Sequence, residues 1–393
     1  MAKILTSTSS KFISPILKEL SAAGHQITTI HQHFGQNLAS LDLNAKPLIS
    51  TVTNGVRSQA MRQAAETITK LCRKRYRKNG LLAEVNAFLT DDLPGLIYGD
   101  LPEIYLFILA LEEYRPDLVL LHNDVEQIHR AAAFWAKANE VPCLHVPHAI
   151  YQDIENKYDI HRQVTASHLA SAGPYQSAWY MDCGMPAERI FETGLPQFDE
   201  FAKLRLDKAR WKAALGLDAS KPVIMYASSW RQDTNILGMH DGVSETYGAI
   251  LECARRMKEV QFLIKTHPHG NNAQEHLSEA KKAEAHVTIT PHHLPHCLQA
   301  SDLLLAYGPS NILLEGAHIP WLRLACTSGY RDDPEVYKIL TDPPNVEFMV
   351  QSLYEILSRP VIDTGRLRAK YLGRCDGMNG QRVVGLINQL LPD

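Results

Sequence analysis

The sequence predicts an α/β protein made of two βα-repeating halves, each a parallel sheet wound by helices, facing each other across a cleft. Three observations predict this. At 393 residues the chain is longer than one core usually fills, since single cores stop growing near ~300 residues. Short apolar runs alternate with longer amphipathic stretches along both halves, the order that a parallel sheet requires. Several of those runs end abruptly in cations, imidazoles or small polar residues, the edge at which open parallel sheets bind ligands.

Lys3 to Ser7 reads as the first strand, followed by a Ser/Thr turn, a helix from Pro15 to Ala23, Gly24 and a second strand from Gln26 to Ile30. This is the opening of a Rossmann-like unit, but it lacks GxGxxG, which argues against a nicotinamide dinucleotide. Ser7, Ser9 and Ser10 are either donors from the first loop or the capped start of the helix. Residues 56 to 94 read as helical. They contain the basic run Arg73, Lys74, Arg75, Arg77 and Lys78, which suits an anionic membrane or a phosphate-bearing acceptor, or else a solvated helix end.

A helix from Ile104 to Tyr114 precedes a strand from Leu118 to Leu121 that ends in His122-Asn123-Asp124. A helix from Glu126 to Asn139 follows, then a strand from Val141 to Val146 ending in Pro147-His148-Ala149. A short strand is expected around Gln163 to Ser167, and Gly173-Pro174-Tyr175 opens another helix. Gly194 and Pro196 mark the departure from the first half, which assigns 1–200 to an acceptor-side unit and 201–360 to a donor-side unit.

In the second half, a helix containing Leu204 to Leu215 leads to strands at Pro222–Ala227, Gln261–Ile264, His286–Thr290, Leu303–Ala306 and Trp321–Ala325, with a helix at Tyr247–Met257. Residues 344–357 and 378–391 read as helices. The segment 361–393 is expected to pack back on the first half.

Composition narrows the chemistry. Lys plus Arg total 40 against 43 for Asp plus Glu, a formal charge of −3, which gives no global reason to bind nucleic acid; a polyanion site must be local. The seven cysteines show no CxxC or finger spacing and read as incidental thiols in a reducing, cytoplasmic compartment. No apolar stretch has the length of a signal peptide's core or of a bilayer span. Despite 18 histidines there is no HExxH; His267 with His269, or His292 and His293 with His296, form no convincing ligand set, and a required metal is not expected. The three latter histidines are expected to line the nucleotide side or cap a helix. GxSxG and the P-loop are also absent.

The apolar run that ends in Lys265-Thr266-His267-Pro268-His269, and the second that ends in Tyr307-Gly308-Pro309-Ser310-Asn311, are the most informative segments. Lys265 and His267, two residues apart on an extended backbone, share a side and either neutralise a leaving diphosphate or serve structure, Lys265 paired with a surface carboxylate and His267 satisfying a loop. Gly308 allows close approach, and Ser310 with Asn311 opens a helix whose first amides favour an anion. Glu315, one turn on, suits the hydroxyls of a ribose or a capping role. Ser229 and Arg231, after Pro222–Ala227, offer a further phosphate clamp. In the first half, His148 is either the candidate base for an acceptor hydroxyl or a structural histidine, and Asp124, Glu126 or Asp153 either orient or replace it or are solvated or capping carboxylates.

Several of these segments resemble the GT-B glycosyltransferase superfamily, in particular its capsule and teichoic-acid CDP-glycerol glycerophosphotransferase branch and, more distantly, the UDP-N-acetylglucosamine 2-epimerases. Val141 to Ala149 is similar to a segment ending in His-Gly, Gly194-Leu195-Pro196-Gln197-Phe198-Asp199 to Gly-x-Pro-x-x-Asp, Lys265-Thr266-His267-Pro268 to Lys-x-His-Pro, and Asp302 through Glu315 to the donor-phosphate loop and helix. Ala149 in place of glycine, and Ala306 to Asn311 in place of Asp-Tyr-Ser-Ser, depart from the pattern. The resemblance implies metal-independent inverting transfer without a resident cofactor, the donor being a CMP-, CDP- or UDP-linked substrate. The acceptor it implies is a saccharide or lipid-linked hydroxyl in surface polysaccharide or glycoconjugate synthesis, with peripheral contact at the inner face of the plasma membrane. CDP-polyol phosphate transfer, 2-epimerase-like chemistry and a noncatalytic glycan-binding or assembly role stand as alternatives.

Overall fold

The computed structural model describes residues 1–7, 14–30, 48, 52–73, 93–123, 127–150, 164–228, 242–266, 273–307, 310–327, 333–339 and 344–392. The chain divides into two compact units, one of 1–148, 152–197 and 378–393, the other of 149–151 and 198–377.

The first unit is a six-stranded parallel sheet of β1 (Lys3–Thr6), β2 (Gln26–Thr29), β3 (Leu118–Leu121), β4 (Cys143–His145), β5 (His168–Ser171) and β6 (Ile190–Glu192), in the order β2-β1-β3-β4-β5-β6. Alternation along the strands serves two cores. Ile4, Leu118 and Leu120 pack under the helix Ser14–Ala22 through Ile16, Leu17 and Leu20. Leu5, Val119 and Leu121 pack on the other face with Phe107, Ala110 and Leu111 from the helix Leu93–Tyr114, and with Ile128, Ala132 and Ala136 from the helix Gln127–Ala138. A sheet covered on both faces requires apolar residues at every strand position, which is why Leu118–Leu121 is an unbroken buried run.

The fifth strand differs from expectation, lying at His168–Ser171 in place of 163–167. Ser167 turns its hydroxyl back on β4, accepting from Cys143 N at 2.9 Å and donating to Cys143 O at 3.1 Å. A side chain thus occupies the ladder groups that a strand there would have used. The expected helix from Ile104 begins earlier, at Leu93, and runs through Pro102.

The second unit is also all parallel: β7 (Val223–Ala227), β8 (Gln261–Lys265), β9 (Val287–Thr290), β10 (Leu303–Ala306), β11 (Arg323–Cys326) and β12 (Val336–Lys338), in the order β12-β11-β10-β7-β8-β9. Ile224, Tyr226, Phe262, Ile264, Leu303 and Leu305 form one core with Ile250, Ala254 and Met257 of the helix Gly242–Arg256. On the opposite face Gly316 lets the helix Asn311–Gly316 lie close on the sheet, since a Cβ there would come within 2.7 Å of Leu304 and 3.0 Å of Leu324. The strand expected from Trp321 begins at Arg323, because Trp321 is held in the preceding turn with its indole N–H on the Gln299 carbonyl at 3.2 Å.

The helix Asn379–Leu390 belongs to the first unit, where Val383, Val384, Leu386 and Ile387 join Ile4 and Leu118. Arg382 Nε donates to Thr193 O at 2.8 Å and Asn379 Nδ2 to Leu195 O at 3.1 Å. Gly194, at φ +73°, sits directly against the Asn379 amide.

Candidate functional site

In each sheet one pair of neighbouring strands marks where the winding reverses, and ligands of open parallel sheets bind beyond the carboxyl ends of that pair. In the first unit the pair is β1 and β3. Ser7 follows β1, its amide donating to Leu120 O at 2.9 Å. Its hydroxyl accepts from His122 N at 3.0 Å and lies 2.8 Å from His122 Nδ1. The residue after β1 is therefore spliced to the residue after β3.

His122 is enclosed by other imidazoles, with ring centroids 5.5 Å from His129 and 5.4 Å from His148. Burial first, and then the neighbouring His129, His148 and His145, hold its pKa well below the usual histidine value, so it is neutral near pH 7. Three residues beyond the end of β4, the backbone of His148 is pinned on both sides. Its amide donates to His122 O at 3.3 Å and its carbonyl accepts from Gln197 Nε2 at 3.0 Å.

The His148 ring is oriented by the same carbonyl, with Nδ1 3.1 Å from His122 O. A carbonyl oxygen only accepts, so Nδ1 carries the hydrogen and the basic nitrogen of the neutral ring is Nε2. That is the state a general base needs. Sequence reasoning named His148 as the base, offered Ser7 as a donor of the first loop and placed His122 at the polar end of the Leu118–Leu121 run, but gave no role at the base to His122, His129 or Gln197. His145 is buried in β4 with Nδ1 3.2 Å from the Tyr180 hydroxyl, a packing role.

In the second unit the reversal falls between β7 and β10. Ala227, the last residue of β7, is in register with Lys265 on one side and Ala306 on the other. Lys265 and the β10 terminus therefore stand at one level, two strand spacings or ~10 Å apart. Half-buried Lys265 donates from Nζ to Thr266 O at 2.7 Å, and its charge is felt at Cys297, whose thiol burial nevertheless pushes up to about 11.

Half-buried Tyr307 follows β10, and Ser310 caps the next helix with its hydroxyl 3.5 Å from Ile312 N. Asn311 spends its side-chain carbonyl on Ile150 N at 2.8 Å, so its part at an anion falls to the amide nitrogen. Glu315 is half-buried in the last turn of the same six-residue helix. The structure thus brings Lys265, Tyr307, Ser310 and Asn311 to one edge. Asp124, Glu126, Asp153, Ser229, Arg231, His267, His269 and Gly308 lie outside the described residues.

Asp302, the first residue of the segment that resembles the donor-phosphate loop and helix, stands at the amino end of β10, at the other end of that strand from Tyr307. There it binds Lys208 at 2.5 Å and Val223 N at 2.9 Å, with buried Lys212 at 3.6 Å. It is a strut between the starts of β7 and β10. His293 is the N-cap residue of the helix Leu294–Ala300, its carbonyl accepting from Cys297 N at 3.4 Å while its ring pairs with Glu200 at 3.3 Å, and His296 stacks on Trp211, centroids 3.5 Å apart. Among the described residues no group of three His, Cys, Asp or Glu is placed to hold a metal ion, and no helix is long and apolar enough to cross a membrane.

Residues 144–306 match the family described as CDP-glycerol:poly(glycerophosphate) glycerophosphotransferase. No curated protein matches the sequence significantly. Among solved structures, the UDP-GlcNAc 2-epimerase of Neisseria meningitidis bound to UDP-GlcNAc is similar at a TM-score of 0.57 and 14% identity, covering 98% of this chain and 100% of that one. The S. aureus MnaA–UDP co-structure is similar at 0.58 and 14%, covering 99% and 96%. Acinetobacter baumannii MurG is similar at 0.51 and 11%, covering 98% and 99%. At these identities the likeness is one of fold. The chain has the GT-B fold, two Rossmann-like units, and over 144–306 it resembles the glycerophosphotransferase family.

Proposed function

We propose that the protein is a metal-independent inverting glycosyltransferase that moves a sugar from a nucleotide-activated donor to a hydroxyl acceptor in surface polysaccharide or glycoconjugate synthesis. The observation that carries this reading is the fixed tautomer of His148, whose Nδ1 is committed to the His122 carbonyl. In the proposed step the acceptor oxygen attacks the anomeric carbon and gives its proton to Nε2. The bond from that carbon to the diphosphate breaks, and the new glycosidic bond forms on the opposite face.

Lys265 faces the departing diphosphate, with Ser310 and the amide nitrogen of Asn311 as polar donors, which stabilises charge where it develops. Ser229, Arg231, His267, Tyr307 and Gly308 complete the donor side and Glu315 the ribose side in this reading, with Asp124 or Glu126 beside the base. The donor is a nucleotide sugar and the acceptor a saccharide or lipid-linked hydroxyl, reached from the cytoplasm at the membrane face.

The family match favours one second reading, transfer of a polyol phosphate from a CDP-linked donor, with attack at phosphorus and CMP as leaving group. Incubating the protein with UDP-, CDP- and CMP-linked donors, with and without hydroxyl acceptors, and weighing the products decides between them. Acceptor-dependent sugar transfer is expected. Acceptor-dependent polyol-phosphate transfer selects the second reading, isomerisation without acceptor selects epimerase chemistry, and intact donors throughout reject all three.

A further inference from the structure

The first unit carries a concavity at the amino-terminal edge of its sheet. It has a volume of about 240 Å³ and lies where β4, β5 and β6 begin, bounded by Cys143, Ser167 and Arg189 and closed by the ends of two helices at Lys137 and Cys183. The carboxyl ends that carry His122 and His148 are on the opposite edge, a strand length or ~10 Å away. The candidate site therefore does not account for it.

Its lining is one-sided in charge. Lys137 and Arg189 supply two cations, and no carboxylate lines it among the described residues. Neither cation is in an ion pair there, and the Arg189 charge reaches His168, lowering its pKa after burial has done so. Each cation stands at the end of a helical segment, Lys137 in the last turn of the helix Gln127–Ala138 and Arg189 at the end of the 3-10 turn Ala187–Arg189, so the two helix ends deliver both charges to this one concavity. The floor is apolar, from Ala133, Val164 and Met185, Ser167 is consumed by Cys143 as described, and Thr165 is the other side-chain hydroxyl on the lining, so the charge that selects a ligand comes from Lys137 and Arg189. A guanidinium and an ammonium on the lining of one concavity suit a phosphate, the first by its planar fork and the second by charge.

We propose that this concavity binds a small phosphate monoester, its phosphate between Lys137 and Arg189 and its organic part over the apolar floor. The source of the ester is a soluble metabolite or an anionic lipid headgroup. The two share the chemistry and differ in how they are presented.

The test uses the full chain and phenyl phosphate. Calorimetric titration of the Lys265→Gln protein, which removes the competing cation at the other edge, is expected to show one saturable site. Arg189→Gln and Lys137→Gln, each added to Lys265→Gln, are expected to weaken it by about 10-fold or more. Independently, phenyl phosphate but not phenol is expected to slow alkylation of Cys183, a half-buried thiol on the rim, as localised by peptide mass spectrometry. That readout needs no variant and stands if either one fails to fold. Protection by the soluble ester assigns a metabolite; protection only by vesicles containing phosphatidic acid, and not by phosphatidylcholine vesicles, assigns a headgroup. Unchanged Cys183 reactivity with every phosphate, or binding untouched by both substitutions, overturns the proposal.

Discussion

His148 Nδ1 meets the carbonyl oxygen of His122 at 3.1 Å, and that same carbonyl receives the His148 amide at 3.3 Å. Ring and backbone are thus aimed by one atom at the end of the neighbouring strand. Replacing the ring removes the proposed base while leaving the backbone hydrogen bond. His148→Ala is expected to lower donor turnover by about 10²- to 10⁴-fold while nucleotide affinity, read by calorimetry, stays unchanged. An equal loss of affinity and turnover would remove His148 from the chemistry.

Lys265 is expected to act on the donor alone. Lys265→Gln removes a charge-assisted contact to the diphosphate, a loss of about 1.5–3 kcal/mol, which is about 10- to 100-fold in affinity for a nucleoside diphosphate. Titrating CDP and UDP at low and high salt checks it, since the wild-type affinity falls with ionic strength and that of the variant changes less.

Asp302 is expected to matter for stability and not for the donor. Asp302→Asn leaves Lys212, 5% exposed, without its carboxylate, at a cost of about 2–3 kcal/mol. Urea unfolding measures the loss. Nucleotide affinity of the folded fraction should match the wild type, and a selective loss of affinity would return Asp302 to the donor loop.

Gly194 combines a left-handed backbone with a neighbour in contact. Gly194→Ala forces a Cβ onto the Asn379 amide and costs about 1–2 kcal/mol for the backbone alone, plus about 1 kcal/mol for the disturbed bond to Leu195. Thermal unfolding followed by circular dichroism should show a lowered midpoint. An unchanged midpoint would mean that the last helix is not tied to the sheet at this point.

The protein is expected to lose stability on mild acidification. His318, enclosed by Phe198 and Phe201, has its pKa pushed down to about 4, by burial first. The unfolded chain, with a pKa near ~6.5, then binds more protons than the native state between those values. Stability is complete above pH ~6.5 and falls as pH drops toward 4, by up to about 3 kcal/mol. His318→Phe keeps the ring packing and should flatten that slope in urea titrations between pH 7.5 and 5. An unchanged slope would assign the acid loss to other groups, such as His122.

The two-unit α/β fold was legible because the strands of doubly wound sheets are unbroken apolar runs, Leu118–Leu121 and Leu303–Ala306 above all. Helices without an apolar stripe were not read: Ala273–Lys282 buries only His276 and Ala280, too few for periodicity to register. The strand at His168–Ser171 was shifted because Ser167 imitates a ladder partner with its side chain. At the candidate site, residues next to apolar runs, His148 and Lys265, could be named in advance. Ser7 and His122 could not be paired, since 115 residues separate them and only the strand order brings them together. Asp302 stands before the strand Leu303–Ala306, as expected, but its partners Lys208 and Lys212 lie 94 and 90 residues away in the chain and only the fold brings them to it.

The return of the last helix to the first unit makes 198–377 an inserted module. Its two ends are neighbours: a side chain at Gly377 would touch Ala202 and Asp199. The flanks it leaves behind are neighbours too, Thr193 and Leu195 bonded to Arg382 and Asn379. Excising 198–377 and bridging 197 to 378 with a short glycine linker is expected to leave the sheet and last helix of the first unit joined, with 149–151, which belongs to the second unit, left behind. Each half could then be produced as a separate polypeptide, with the histidine-bearing one retaining its own C-terminal helix.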